Sequence, residues 1–526
     1  MYKNTLSLIF IFLQLSILLN AQQARLVKDF TLGENSTFTT DDERIITSYQ
    51  DKVLFVIRGE TNDFQLWISN GTEDSTYLLH QLEEDARIDD LLHVPESDLV
   101  FYSTRKTNAN TLHAISKTTS DTINLYNSND RINRLTYFQN NLYFKEDDNL
   151  VRLNPADKNV EIVYEFGSFR SLNAIGILND QLILIGGESN GTELYVSDGT
   201  TEGTSPYFQL TSGSDFNGDA YMNQVGNQLL FFYERPEEPY ILYATDGTAE
   251  GTLSLLELER TDFVDLVEER SIIVWEEKLF FRARALGSTP NKGELFVSDG
   301  TPDGSFKISL EEEGDIAKPA DFTPFGDALY FRANFDLYKT DGTIEGTSKV
   351  IDPFDLGRGG SFGGFELTAY QDSLYFCAFR SEVGSDLWVS AGETSNTRSL
   401  DIVSGEEDAD IEQLISTENN LFLIYRSAAF GKELFVLDSN IVSSTLSLSN
   451  QMISIYPNPF ENELSISMEK GLMDGVMVSL FDVNGRLVFR KKSIQEPLKL
   501  EALPAGAYWL KIIADEDTFV KKVIKK

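Results

Sequence analysis

The sequence predicts an all-β protein: a single large β-propeller of eight or nine four-stranded blades, followed by a small Ig-like β-sandwich. Three observations carry this expectation. First, the stretch ELYVSDGTTEGT at residues 193–204 recurs as LYATDGTAEGT at 242–252, ELFVSDGTPDG at 294–304 and LYKTDGTIEGT at 337–347. Looser copies stand at 66–76, 387–397 and 433–440. Second, a further apolar run precedes the turns, at 53–57, 99–103, 142–145, 182–185, 229–233, 279–282, 329–332, 374–378 and 421–425. Third, the turn positions Asn70, Ser116, Asn154, Asp198, Asp246, Asp299, Asp341, Ala391 and Asp438 are separated by 38 to 53 residues. Four short antiparallel strands every ~40–50 residues is the spacing of propeller blades, and it is too short to close a two-sheet core of about 100 residues.

Each element has a local cause. The alternation of Leu194 and Val196 with Glu193, Tyr195 and Ser197 reads as a half-buried strand. Asp198-Gly199, Asp246-Gly247, Asp299-Gly300 and Asp341-Gly342 then force a tight turn, because Gly tolerates positive φ and Asp hydrogen-bonds the backbone beyond it. These Asp residues are read first as turn formers, since Asn70 or Ala391 replaces them in other copies. Polar pairs such as Asn140-Asn141, Asn179-Asp180, Gly326-Asp327 and Asn419-Asn420 mark a second turn, preceded by another strand at 134–138, 220–225 or 366–370. The unit is therefore strand a, turn, strand b, loop, strand c, DGT turn, strand d. Residues 25–30 (RLVKDF) read as a strand d with no a, b or c before it, and are expected to complete the last blade and close the ring. The repeats resemble the ELWxxDGTxxGT family of surface and secreted bacterial proteins, over four strict and three degenerate units. That resemblance implies export and repetition, and little about biochemical role.

The ends of the chain differ from the repeats. Residues 1–21 read as a signal peptide, with Lys3 as its charged start and an apolar run at 6–19. The expected organisation is signal peptide 1–21, propeller 22–442, linker 443–452 and terminal domain 453–526. The terminal stretch carries Tyr456-Pro457-Asn458-Pro459, ELSISM at 463–468, VSLFDVNGRLV at 478–488, LPAGAYWLKI at 503–512 (with Gly506) and a basic end, KKVIKK. Seven short alternating strands with an Asn484-Gly485 turn make a small sandwich. The segment resembles the type A C-terminal sorting domain of the type IX secretion system. The resemblance implies export through that machinery, with a sortase-like peptidase cutting the domain off. The mature chain would be secreted or attached to the outer-membrane surface, after signal-peptide export to the periplasm.

Composition narrows the function. The 526 residues carry a net charge of −39, from 83 acidic and 44 basic residues. The terminal 74 residues hold 11 basic and 10 acidic groups, so the acidity belongs to the repeats. That argues against nucleic acid as a partner. Cys377 is the single cysteine, which excludes an internal disulfide framework. His80, His93 and His113 are the only histidines, too few for a His-rich metal site and a poor supply for a Ser-His-Asp triad. No second stretch approaches a transmembrane length.

In a blade, the b–c and d–a connections share one face and the DGT turns lie on the other. Strand b tends to end in a base: Arg58, Arg105, Lys145, Arg235, Arg282, Arg284, Arg332, Arg380 and Arg426. Acidic loops neighbour them, at 83–85, 311–313 and 406–408. Ion pairing at strand ends is the favoured reading. A guanidinium ring for an anionic glycan or carboxylate is the functional one. Phe362 and Phe365 are read equally as surfaces that stack on sugars or as plugs of the propeller channel. Asp215, Asn217 and Asp219 have the alternate-oxygen spacing of a calcium loop, but Ala220 replaces the required Gly and no Glu closes it, so a solvated loop is favoured and calcium is the alternative. No nucleophile–base pair or carboxylate pair can be placed in one pocket. The expectation is a non-catalytic binding or adhesion module for a glycan or surface protein. A polysaccharide hydrolase or lyase and a structural surface component are the alternatives.

Overall fold

The computed structural model describes residues 24–30, 37, 45–437 and 453–526, apart from residues 50, 60–62, 96, 117–120, 167–171, 189–190, 212–221, 235–238, 260–270, 289–292, 311–313, 334–335, 352–365, 381–383, 401, 403–409, 428–429, 457–459, 461, 469–476, 482–486, 493–496, 502, 505 and 515–516. The expected signal peptide and the linker at 443–452 lie outside the described residues. The chain divides into two compact units, residues 1–437 and 438–526.

The first unit is a nine-bladed propeller. Among the described residues it holds nine four-stranded antiparallel sheets, each ordered a-b-c-d. Blades 1 to 8 span residues 45–81, 87–128, 132–165, 174–209, 222–258, 272–307, 320–351 and 367–399. Blade 9 takes strands a to c from 413–437, and its fourth strand is Ala24–Leu26, which pairs antiparallel with Gly431–Leu437. The chain start thus closes the ring. Val27 of that segment then packs with Val53, Phe55 and Ile57 of blade 1 and with Phe422, Leu434 and Val436 of blade 9. Phe30 meets the rings of Phe55 and Trp67 edge-on, at 5.7 and 5.1 Å between centroids.

The central strands are apolar runs because both of their faces are covered. In blade 4, Leu182, Ile183, Leu184 and Ile185 of Gln181–Glu188 are all at most 1% exposed. Strand c corrects the half-buried reading. Tyr195, assigned to the polar side, is fully buried and packs on Tyr164 and Phe166 of the blade 3 side, while Leu194 packs towards blade 5. Alternation between water and core fails there because each blade is sandwiched between two others. Strand d is the outer edge and stays open to solvent, as in Ser205–Gln209.

The a–b turns show why the polar pairs are there. Gln139 and Asn140, Asn179 and Asp180, and Glu276 and Glu277 all have positive φ. That is the tight two-residue turn whose twist matches the flanking strands. In blade 3 the pair sits one residue earlier than the sequence suggested, because Asn141 begins the next strand.

Among the described residues the second unit contains seven strands, in a three-stranded and a four-stranded sheet. Phe460, Leu464, Ile466, Val478, Leu480, Leu498, Leu500, Tyr508, Leu510 and Val523 form one buried core between them.

Candidate functional site

The DGT face is occupied by structure. Asp198 Oδ1 accepts from the Thr200 N–H at 2.9 Å and the Thr200 hydroxyl at 2.7 Å. Ser197 Oγ meets Thr204 Oγ1 at 2.6 Å and accepts from Gly199 N at 3.0 Å. The same bonds recur around Asp246, Asp299 and Asp341. Hydrogen bonds from the Thr hydroxyl and then the Thr backbone hold the Asp198 and Asp341 carboxyls below the usual range. In blade 8, where Ala391 replaces the Asp, Asn396 Oδ1 reaches back to accept from Ala391 N and Glu393 N, both at 3.1 Å. The second glycine has a reason the sequence did not reveal. A Cβ on Gly203 would stand 2.0 Å from Asp198 Oδ1, so only Gly lets the carboxylate fold back over the turn. Gly199, at φ +89°, abuts Tyr143 of the preceding blade, whose hydroxyl donates to Gly199 O at 3.4 Å. Asn420 Nδ2 of blade 9 likewise donates to Asn70 O of blade 1 at 3.0 Å. Each of these turns rests on the a–b end of the blade before it.

On the opposite face several of the described basic side chains meet carboxylates or rings. Arg332 Nε lies 2.9 Å from Asp321 Oδ2, joining strands b and a of blade 7. Arg426 Nε lies 3.3 Å from Asp410 Oδ2 in blade 9. Arg105 and Arg131 share Asp89, at 3.7 and 2.6 Å. Arg284 reaches Glu259 at 3.6 Å. Arg58 lies over the Phe64 ring, 5.0 Å from its centroid, and Arg282 is buried at 8% exposure. Arg380 ends the strand Ser373–Arg380, but its side chain lies outside the described residues. So do Arg235, Phe362, Phe365, Asp215, Asn217 and Asp219, and Pro457, Asn458 and Pro459 of the terminal motif. Tyr456 ends the strand Ile453–Tyr456, and Gly506 opens Gly506–Ala514. The leading acid of the DGT repeat also has a structural place. Glu294 is 2% exposed, and its carboxylate bonds Lys307 Nζ at 3.0 Å and Ala285 N at 2.7 Å.

The same face opens into a cleft between blades 1 and 2, of about 550 Å³. Two elements of blade 1 and three of blade 2 shape it. Strand Tyr77–Gln81 brings His80, and the following link brings Leu82, Glu83 and Ala86. Strands Leu99–Lys106, Ala109–Ser116 and Thr122–Ser128 bring Thr104, His113 and Asn124. At its base the imidazoles of His80 and His113 meet edge to face, with centroids 4.7 Å apart. His113 stacks on Tyr102 at 4.8 Å, and the Tyr102 hydroxyl lies 2.7 Å from His80 Nδ1. Thr104 Oγ1 lies 3.3 Å from His113 Nε2. Burial, and then the neighbouring His80, pull His113 down to about pKa 4. Burial also lowers His80, against the opposing pull of Glu83, and raises the Tyr102 phenol. Both imidazoles are therefore neutral at pH 7. Sequence reasoning passed over this cluster because it counted histidines and did not place them. The one available signal was His113 set between Leu112 and Ala114 on a core strand.

The family comparison reaches the C-terminal part of the chain. Residues 454–526 match the secretion system C-terminal sorting domain family. That domain marks the chain for type IX secretion and attachment at the cell surface. No curated protein matches the sequence. Among solved structures, a prolyl endopeptidase is 10% identical over 65% of this chain and 55% of its own, with a TM-score of 0.39. PorZ, a surface component of the type IX secretion system of Porphyromonas gingivalis, is 10% identical over 94% and 100%, at 0.26. Dipeptidyl peptidase 4 of the same organism is 10% identical over 74% and 65%, at 0.46. The chain spans about half the length of the first of these, 55%. Likenesses of this size carry no functional argument. Among the described residues, no helix is long and apolar enough to cross a membrane.

Proposed function

We propose that this chain is an exported recognition module of the ELWxxDGT repeat type, whose b–c and d–a face binds a glycan or a surface protein without chemically altering it. The supporting observation is the asymmetry of the ring. On the DGT face, near-identical turns bond within themselves and to the preceding blade. The other face carries connections of varied length and the cleft between blades 1 and 2. Variable loops on a rigid scaffold are where binding residues concentrate. Arg105, Arg284, Arg332 and Arg426 of that face meet carboxylates and Arg58 lies over a ring, so an anion-binding guanidinium ring is not the favoured form of the site.

The test presents the exported protein to a glycan array and to purified cell-surface proteins, and assays polysaccharides for released reducing ends. Saturable binding without release is expected. Release of reducing ends would make the protein a hydrolase or lyase. Absence of any partner would favour a structural component of the surface.

A further inference from the structure

We infer that the cleft between blades 1 and 2 is a binding site for a neutral, polyhydroxylated ligand: a sugar ring or a short neutral oligosaccharide. This deepens the recognition reading and rests on it. The cleft volume, about 550 Å³, falls in the ordinary range for small-molecule sites. Its lining is dominated by side-chain amides and hydroxyls, with the two imidazoles beneath. The one cation among its described lining residues, Lys106, is bonded to Glu83 at 3.2 Å, so the charged groups of that lining cancel. A carboxylate or phosphate ligand would find no uncommitted cation there, on a chain whose net charge of −39 repels anions.

Two groups point to hydroxyls in particular. Asn110 is 5% exposed, and its Nδ2 donates to Asn129 O at 3.2 Å, while its Oδ1 has no partner among the described residues. His113 is 7% exposed, with Nε2 beside Thr104 and Nδ1 without a partner among the described residues. Both residues line the cleft. Buried polar atoms left without partners are costly, about 1–3 kcal/mol each. A neutral imidazole offers a donor at one nitrogen and an acceptor at the other. A sugar hydroxyl both donates and accepts, so once a small rotation of the side chains turns these buried atoms to the cleft it meets either state of Nδ1 and also satisfies Asn110 Oδ1. At the rim, Asn127 Oδ1 accepts from Thr111 Oγ1 and Asn124 Nδ2, both at 3.1 Å, which leaves its own amide hydrogens to turn towards a ligand. Among the described residues no third imidazole, thiol or carboxylate completes a metal site with the two histidines.

The experiment is isothermal titration of the exported protein with neutral mono- and disaccharides, N-acetylated sugars included, against the matching uronic acids. A neutral sugar should bind. Asn110→Leu should weaken it about tenfold or more, and the exposed rim variant Asn127→Ala severalfold, the latter with unchanged thermal unfolding. Should Asn110→Leu fail to fold, Asn127→Ala alone decides. A bound glycan indifferent to both variants places the site elsewhere: the cleft proposal is overturned and the recognition module stands. Tighter binding of uronic acids overturns the neutral chemistry. If no sugar binds, the cleft proposal falls, and recognition of a surface protein is judged by its own assay.

Discussion

At the residue scale, His113 couples the cleft to pH. Its folded pKa of about 4 lies below the unfolded value of 6.5. Above pH 6.5 both states are neutral and the group contributes nothing to the pH dependence. As pH falls through 6.5 the unfolded chain takes up a proton that the folded chain refuses. Stability is therefore lost between about pH 6.5 and 4, by about 2–3 kcal/mol for a shift of this size. The groups facing it are Tyr102, His80 and Thr104, none of them a carboxylate placed to hold the proton. Other groups also titrate in this range, so the measurement is a comparison. The denaturation midpoint of the wild type should fall more steeply from pH 7.5 to 4.5 than that of His113→Gln. Parallel curves would show that His113 does not titrate differently in the two states.

At the element scale, the ring depends on a short strand far from its partners in sequence. Ala24–Leu26 covers the edge of Gly431–Leu437, and Val27 N donates to Leu434 O at 3.0 Å. Phe30 and Val27 then fill the seam between blades 9 and 1. Deleting residues 22–31 should uncover a strand edge and an apolar seam, lowering the thermal transition and favouring association between chains. Unchanged unfolding and a monodisperse monomer would show that blade 9 holds without its fourth strand. The element scale also shows why the DGT turn repeats so closely. Its Ser, Asp, two Gly and final Thr are one hydrogen-bonded unit, and its first glycine doubles as a contact with the preceding blade. A substitution there disturbs two blades at once.

At the scale of the molecule, the propeller and the C-terminal unit are separate bodies with separate cores and different charge. Residues 454–526 carry the address and the propeller carries the surface offered outside. The polar linker at 443–452 is the expected cutting site, because small, polar segments between folded units are readily cleaved. Intact mass of the surface or medium form should end within or near that linker. An exported chain still ending at Lys526 would show that the sorting domain is retained.

The sequence by itself determined the repeat, the order of strands within a blade, the seven strands of the C-terminal unit and the need for a closing strand. These are encoded locally: in Asp-Gly turns, in apolar runs and in polar pairs with positive φ. It left eight and nine blades open, because units 2 and 3 lack the DGT signature and only their pairing shows that 87–128 and 132–165 are complete blades. Tertiary structure decided what covers each face. Tyr195 is buried because a neighbouring blade lies on it, which no alternation within its own strand can show. The arginines Arg332 and Arg426 stand beside carboxylates brought in by another strand or link. His80 and His113, 33 residues apart, meet because strand d of blade 1 lies against strand c of blade 2. Local patterns write turns and strands into the chain. Which side chains face each other across two blades is settled only when the ring closes and every blade acquires its neighbours.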